Sequence, residues 1–227
     1  MEEVDGVLVA AHELKEPLMT LRQLALSLQN LDSTGEQIRT EMLGVSERAL
    51  RQVEDLAKIR RLEDGLFEME PVAVRSVCDD VVTEIHNLFK ETNLAVRYSN
   101  RIRLAESNRE LLRSVLYNFL ACATHYAGGV SPRLLVRDEK DYIKILIRDY
   151  GPELPRRILE RLKSETLTEP TPVMMRPGSS ALGLYIASKF SHYMKAEVGA
   201  IRHRDGTSFY VALPASKQLS FLKSWFL

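Results

Sequence analysis

Residues 142–151 read Tyr-Ile-Lys-Ile-Leu-Ile-Arg-Asp-Tyr-Gly, and this stretch decides the fold of the larger part of the chain. Isoleucine occupies every second position from Ile143 to Ile147, which is typical of a β-strand with one apolar face. The strand runs into Asp149 and Gly151, so a carboxylate and a backbone position without a side chain follow it directly. We therefore expect a sheet that buries one face under helices.

Further strands and helices are predicted on both sides of this stretch. Asp205-Gly206 is a strong turn signal and predicts a hairpin. Ser107 and Glu110 have the spacing of a capping box and predict the start of a helix. The predicted strands are residues 94–98, 133–137, 142–148, 196–203 and 207–213, and the predicted helices are residues 74–91, 107–126, 155–164 and 180–194. Because they interleave, we expect an α/β sandwich with a mixed sheet.

Composition and charge exclude several classes of protein. The chain has 227 residues, of which 45% are hydrophobic and 27% charged, as in an ordinary globular protein. Its 31 basic and 31 acidic residues cancel, which argues against nucleic acid as a partner. No run approaches the length of a membrane span and the first residues are acidic, so we expect a cytoplasmic chain. Cys78 and Cys122 lie far apart in the sequence and predict free thiols.

The distribution of residue types divides the chain into two modules. Residues 1–64 contain no aromatic residue and carry 8 basic and 13 acidic residues, a net charge of −5. Residues 65–227 hold all 16 aromatics, with 23 basic and 18 acidic residues, a net charge of +5. Gly65 follows a helical pattern and predicts a helix C-cap at the boundary. We therefore expect one domain at residues 1–64 and a second at residues 65–227.

The first module shows the apolar spacing of two long helices. Apolar residues recur at intervals of 4 and 3 from Val7 to Leu28 and, with one glutamine, from Ile38 to Ile59, with turn residues at 30–35 between the two runs. The apolar stripe is wider than one partner helix can cover. We therefore expect an antiparallel helical hairpin that forms a four-helix bundle in a homodimer, which makes the whole chain α+β. The alternative is a hairpin that packs on the second module of its own chain.

His12 is the candidate reactive side chain of the first module. It follows the seam position Ala11 by one residue, which places it at the shoulder of the bundle. Glu13 beside it can accept a hydrogen bond from one ring nitrogen and leave the other as a nucleophile. Pro17 lies inside the helical pattern and predicts a bend just beyond the histidine.

Taken together, the motifs of both modules resemble the catalytic core of a sensor histidine kinase, with a GHKL-type ATP-binding domain. The resemblance extends from about Val4 to Pro214, and the motifs follow the order of the family. They are residues 11–18 (AHELKEPL), 62–65 (LEDG), 112–126 (LRSVLYNFLACATHY), 148–155 (RDYGPELP), 180–186 (SALGLYI) and 206–209 (GTSF).

The resemblance implies a function in two-component signal transduction. It implies ATP-dependent autophosphorylation of His12, with Glu13 as its catalytic neighbour, and phosphotransfer to an aspartate on the receiver domain of a response regulator. It implies ATP and Mg²⁺ as cofactors, and a sensor domain that is separate or missing and can be membrane-bound. The residues implied for the nucleotide are Asn118, Cys122, His125, Tyr126, Asp149, Gly151, Leu182, Gly183, Leu184 and Thr207, with Asn118 also implied for the metal.

Four departures from the family pattern leave a second function open. Cys122 takes the place of the magnesium-binding asparagine, although Mg²⁺ prefers oxygen ligands. Glu153 and Ala181 take the places of glycines, and residues 165–179 form a short, proline-bearing counterpart of the family's ATP lid. The alternative is therefore a histidine phosphotransfer or scaffold protein with a degenerate nucleotide site.

Overall fold

The computed structural model of the chain describes residues 13–24, 35–88, 94–125, 130–163 and 181–217. Two helices come first, α1 at residues 13–24 and α2 at Gly35–Glu63. The elements that follow are β1 (Glu70–Val72), α3 (Val74–Leu88), β2 (Ala95–Tyr98), β3 (Ala105–Ser107), α4 (Arg109–His125), β4 (Arg133–Asp138), β5 (Tyr142–Asp149), α5 (Arg156–Lys163), α6 (Ala181–Tyr193), β6 (Glu197–His203) and β7 (Gly206–Pro214). Within the described ranges, no helix is long and apolar enough to cross a membrane.

The main sheet has five strands in the order β2-β4-β5-β7-β6. β2 runs parallel to β4, and all other neighbouring pairs are antiparallel. This confirms the predicted mixed sheet and the predicted hairpin, whose strands β6 and β7 join at Asp205-Gly206. The strand that the alternating isoleucines predict, β5, lies in the centre of the sheet between β4 and β7.

The hydrophobic core lies between one face of this sheet and the helices. Ile143, Ile145 and Ile147 are at most 1% exposed, as their alternation predicts. Helix α4 packs against α3, α6 and β5, and Phe119 of α4 stacks on Phe209 of β7 with ring centroids 5.0 Å apart. Helices α3, α4 and α6 therefore cover the inner face, while the outer face carries the polar partners of the alternating pattern.

Two local predictions differ from the structure. The capping box is wrong: α4 begins one residue later than that cap requires, and Asn108 Oδ1 accepts from the backbone N–H groups of Glu110 and Leu111, both at 3.1 Å. Ser107 instead donates to Met194 Sδ at 3.1 Å. The small antiparallel pair β1–β3 was not predicted, because strands of three residues are too short to show alternation.

Helix α2 packs on the second module through its last turns. Its end is confirmed at the predicted glycine: Gly65 has φ +66°, and its N–H donates to the Leu62 carbonyl at 3.0 Å. Leu56 and Ile59, predicted for the seam of the bundle, pack against the core of the second module. This contact corresponds to the alternative in which the hairpin packs on its own chain. Residues 30–34 of the predicted turn lie outside the described residues, so the hairpin stays a prediction.

Two glycines provide a matched test of the close packing between the β6–β7 turn and the end of β5. A Cβ at Gly206, where φ is +138°, would lie 2.2 Å from the Asp149 carbonyl oxygen, whereas a Cβ at Gly44 meets nothing within 4 Å. Gly206→Ala should lower the free energy of unfolding by about 3 kcal/mol because the backbone must shift. Gly44→Ala should raise it by about 0.5–1 kcal/mol, since alanine favours a helix. Urea unfolding measures both changes. Equal effects of the two substitutions would contradict the close approach of Gly206 to the Asp149 backbone.

Candidate nucleotide site

Asp149 brings a carboxylate to the inner face of the sheet. It continues the alternation of Ile145 and Ile147, so its side chain points toward the helices, and its exposure is 0%. Its Oδ1 accepts the backbone N–H of Gly151 at 3.0 Å, which turns the chain sharply after β5. A buried carboxylate needs donors because burial removes water from a charged group. The end of β5 thus presents an acceptor inside the domain.

Thr207 lies directly opposite Asp149 on strand β7. It is fully buried, and its Oγ1 has no hydrogen-bond partner in the part of the chain that the structure describes. A buried hydroxyl without a hydrogen bond destabilises a protein by about 1–3 kcal/mol, so such groups are rare in natural proteins. A bound group with hydrogen-bonding atoms would satisfy this oxygen.

The loop after β5 is tied to the turn between β6 and β7. Arg148 Nη2 donates to Asp205 Oδ1 at 2.5 Å, and Arg202 pairs with Glu153. Gly206 lets the turn approach the backbone of Asp149. Residues 150–153 and 204–206, with Val130, line a cavity of about 620 Å³ beside this contact. This open cavity lies beside the turn that follows Asp149, and of the residues implied for the nucleotide it is lined by Gly151.

Glu153 does not intrude in the way its replacement of glycine suggested. Its carboxylate is engaged with Arg202 on the neighbouring hairpin. This pair could not be predicted from local sequence patterns, because the two residues lie 49 positions apart. Glu153 therefore holds the loop in place through an ion pair with β6.

Asn118 faces helix α2 as well as its own helix. Its Nδ2 donates to Asp55 Oδ2 at 3.2 Å and to the Ser114 carbonyl at 2.9 Å. Asp55 is 1% exposed and also accepts from Ser114 Oγ at 2.7 Å and Lys58 Nζ at 3.1 Å. This cluster could not be predicted from the sequence, since Asp55 and Lys58 have the spacing of an ordinary surface pair on a helix. The carboxamide implied for the nucleotide is thus held by the first module.

The other implied residues are distributed as follows. Cys122 is buried one turn after Asn118, and Leu182, Gly183 and Leu184 are buried in the first turn of α6. Glu13 lies on α1, and α4 ends at His125. Within the described ranges, no group of three or more His, Cys, Asp or Glu side chains could hold a metal ion. His12, Tyr126 and residues 165–179 lie outside the described residues, and the side chain of His125 is also outside them.

The comparisons with known proteins concern the class of protein to which this chain is similar. Residues 107–217, which lie in the second module, match the family of histidine kinase-, DNA gyrase B- and HSP90-like ATPases. The chain as a whole is similar to the catalytic, ATP-binding core of sensor histidine kinases, which confirms the resemblance predicted from the sequence.

Two curated relatives illustrate the similarity in sequence. Sensor histidine kinase MtrB of Mycobacterium tuberculosis (strain ATCC 25618 / H37Rv) is 26% identical over 211 residues, which is 89% of this chain and 32% of MtrB. Histidine protein kinase SaeS of Staphylococcus aureus (strain USA300) is 25% identical over 227 residues, 93% of this chain and 64% of SaeS. The chain thus spans about a third of the length of the MtrB relatives.

Solved structures show the same fold. Histidine kinase AdeS of Acinetobacter baumannii superposes with a TM-score of 0.62 at 16% identity, over 90% of this chain and 98% of AdeS. Histidine kinase ThkA, solved in complex with response regulator protein TrrA, has a TM-score of 0.61 at 15% identity, over 91% of this chain and 60% of that chain. The architecture of the described elements is therefore that of this group of kinases.

The buried cluster around Asp55 makes a stability prediction. Asp55→Ala removes the acceptor shared by Lys58, Ser114 and Asn118 and should lower the free energy of unfolding by about 3 kcal/mol, because buried donors lose their partner. The exposed neighbour Glu54 is the control, and Glu54→Ala should change it by less than about 0.5 kcal/mol. Guanidinium unfolding followed by circular dichroism measures both. Similar losses in the two variants would show that the cluster contributes nothing.

Proposed function

We propose that this chain is the core of a two-component histidine kinase that binds ATP, phosphorylates His12 and passes the phosphoryl group to a receiver-domain aspartate. The observation that carries the proposal is the pair formed by Asp149 and Thr207: a buried carboxylate opposite a buried hydroxyl that lacks a partner among the described residues. The similarity of the chain to proteins named as a sensor histidine kinase and a sensor protein supports the same conclusion. Since the chain matches only part of those relatives, the activity is proposed for this core alone.

The residues of the site fit an adenine nucleotide. The Asp149 carboxylate would accept a hydrogen bond from the exocyclic amine, and the Thr207 hydroxyl would find the partner it lacks. Gly151 leaves the backbone without a side chain beside the cavity. The first turn of α6 carries Leu182, Gly183 and Leu184, and its backbone N–H groups would face the phosphates. His125 and Tyr126 are proposed for the same nucleotide on the strength of the family motif.

Mg²⁺ fits this site less well than ATP. Asn118 supplies the carboxamide oxygen that a hard cation prefers, but its Nδ2 is held by Asp55 and by the Ser114 carbonyl. Cys122, at the family's magnesium position, supplies a soft thiol. Of these two residues, Asn118 is therefore the better ligand for the metal. Because its carboxamide is already engaged, we expect the domain to bind Mg²⁺ only weakly by itself.

The chemistry of the chain centres on the imidazole of His12. ATP supplies the γ-phosphoryl group. One ring nitrogen of His12 would attack the γ-phosphorus in line while the bond to the bridging oxygen breaks, and ADP would leave. Glu13 would accept the N–H of the other ring nitrogen and so orient the imidazole. Positioning supplies most of the rate of such a transfer, so the approach of the ATP-binding domain to α1 decides the activity.

Labelling with γ-³²P-ATP tests this function. The chain should acquire acid-labile label that disappears in His12→Gln, because the attacking nitrogen is lost. His86, an exposed histidine in the last turn of α3, is the control, and His86→Gln should keep the label. Label acquired only from a phosphorylated receiver domain, with none from ATP, would favour the alternative, a histidine phosphotransfer or scaffold protein. The supporting observations for that alternative are Cys122 at the magnesium position and the hydrogen bonds of Asn118 to Asp55 and Ser114.

We also propose the homodimeric four-helix bundle. Leu18 and Met19 on α1 and Leu50 and Val53 on α2 are between 50% and 61% exposed, which is unusual for large apolar side chains on helices. A second hairpin would bury them. The partner in signalling would be the receiver domain of a response regulator, as in the solved complex of ThkA with TrrA.

Sedimentation equilibrium at micromolar concentration tests the dimer. The chain should sediment as a dimer, and Leu50→Glu should shift it to monomer because a charge cannot be buried in the seam. Ile201, an apolar residue of β6 that is 39% exposed, is the control, and Ile201→Glu should leave the dimer intact. A monomeric chain, or an equal effect of both substitutions, would contradict the bundle.

A further inference from the structure

The outer face of the main sheet concentrates positive charge. Strands β2, β4 and β5 direct their alternate side chains away from the helices, and apart from Tyr142 the side chains at these positions are basic or apolar. The basic ones are Arg97, Arg133, Arg137, Lys144 and Arg148, which we call the basic face. Asp149 and Thr207 point to the opposite side, so the basic face is separate from the proposed nucleotide site.

Cations lie directly opposite one another across β4 and β5. Arg133 is paired in register with Arg148, and Arg137 with Lys144. Like charges in directly opposed positions destabilise a sheet, because their Cβ atoms are only about 4.5–5.5 Å apart. Two such pairs on one face, separated by a single pair of residues, destabilise the sheet, and the fold itself does not require them.

Only part of this charge is neutralised within the chain. Arg148 pairs with Asp205 and lies over the ring of Tyr150, with 4.8 Å from Cζ to the ring centroid, and Lys144 lies 4.2 Å from the ring centroid of Tyr210. Arg97, Arg133 and Arg137 are exposed, and they have no carboxylate partner in the ranges that the structure describes. Three guanidinium groups are thus available to an external anion.

Apolar side chains form the floor between these cations. Leu135 and Leu146 lie side by side at register-paired positions of β4 and β5. Together with Ala95 and the arginines they line an open groove of about 590 Å³. Arg133 and Arg137 stand four residues apart on one strand, roughly 13 Å, which is farther than a single carboxylate or phosphate can bridge. The groove therefore suits a chain of several anionic groups with apolar groups between them.

We propose that the basic face is a docking groove for an acidic, amphipathic segment of a partner protein. Carboxylates of the segment would pair with Arg97, Arg133 and Arg137, since the guanidinium fork matches a carboxylate in two hydrogen bonds. Apolar residues of the segment would cover Leu135 and Leu146. A nucleic acid fits less well, because a phosphate backbone gains nothing from the leucine floor. The partner also removes the repulsion between the opposed cations.

Fluorescence anisotropy tests the groove with a defined probe. The probe is a labelled synthetic peptide of about 14 residues that contains glutamate and leucine with helical spacing. Binding should be saturable, weaken as salt rises, and fall when serine replaces every leucine of the peptide. A single-stranded oligonucleotide of similar length is the competing probe, and equal or tighter binding of the oligonucleotide would overturn the proposal.

Matched charge variants separate the groove from general attraction. The double variant Arg133→Ser, Arg137→Ser should weaken peptide binding by about tenfold. The control is the double variant Arg101→Ser, Arg157→Ser, which removes the same charge from exposed positions elsewhere. It should weaken binding by less than about twofold. The groove variant should melt no lower than the parent chain, because the substitutions relieve repulsion. Equal losses in the two double variants, or no saturable binding to the parent chain, would rule out this groove.

Discussion

The buried carboxylate of Asp149 is the constraint around which the second module is arranged. Strand β5 is apolar on its inner face until that residue, and the side chain of Asp149 accepts the backbone N–H of Gly151. Burial of an ion without such donors is strongly unfavourable, so the turn after β5 and the carboxylate depend on each other. Gly206 and two ion pairs then fix the neighbouring hairpin against that turn. The loop after β5 and the β6–β7 turn are thus held together beside the cavity that they line.

A second set of polar contacts connects this domain to the first module. Asp55 and Lys58 of α2 meet Ser114 and Asn118 of α4; Asp55 and Ser114 are buried, and the other two residues are partly buried. Buried polar networks depend on geometry, because each member loses its partner if the helices shift. The helix that carries the implied nucleotide ligands is therefore coupled directly to the helix that follows the implied phosphoacceptor. In the described arrangement, the Asn118 carboxamide serves the contact between the modules.

Local patterns predicted the elements better than the contacts between them. Alternating isoleucines, the Asp-Gly turn and the glycine at the end of α2 each act over a few residues, and the structure has all three features. The cap of α4 was misplaced because Ser107 and Asn108 are both good caps and only tertiary packing chooses between them. The family motifs point to Asp149 and Thr207 as nucleotide residues, and the structure places these two residues opposite each other on β5 and β7. The partners of Asn118 and Glu153 were not, since they come from residues remote in sequence.

The most direct test of the central claim is calorimetric titration of ATP into the chain and two variants. If Asp149 accepts a hydrogen bond from the nucleotide, Asp149→Asn should weaken ATP binding by about tenfold or more, since a charged acceptor is lost. Asp141→Asn, which makes the same change at an exposed turn, should bind as the parent chain does. Equal affinity of all three proteins, or no binding by the parent chain, would contradict a nucleotide site at the end of β5.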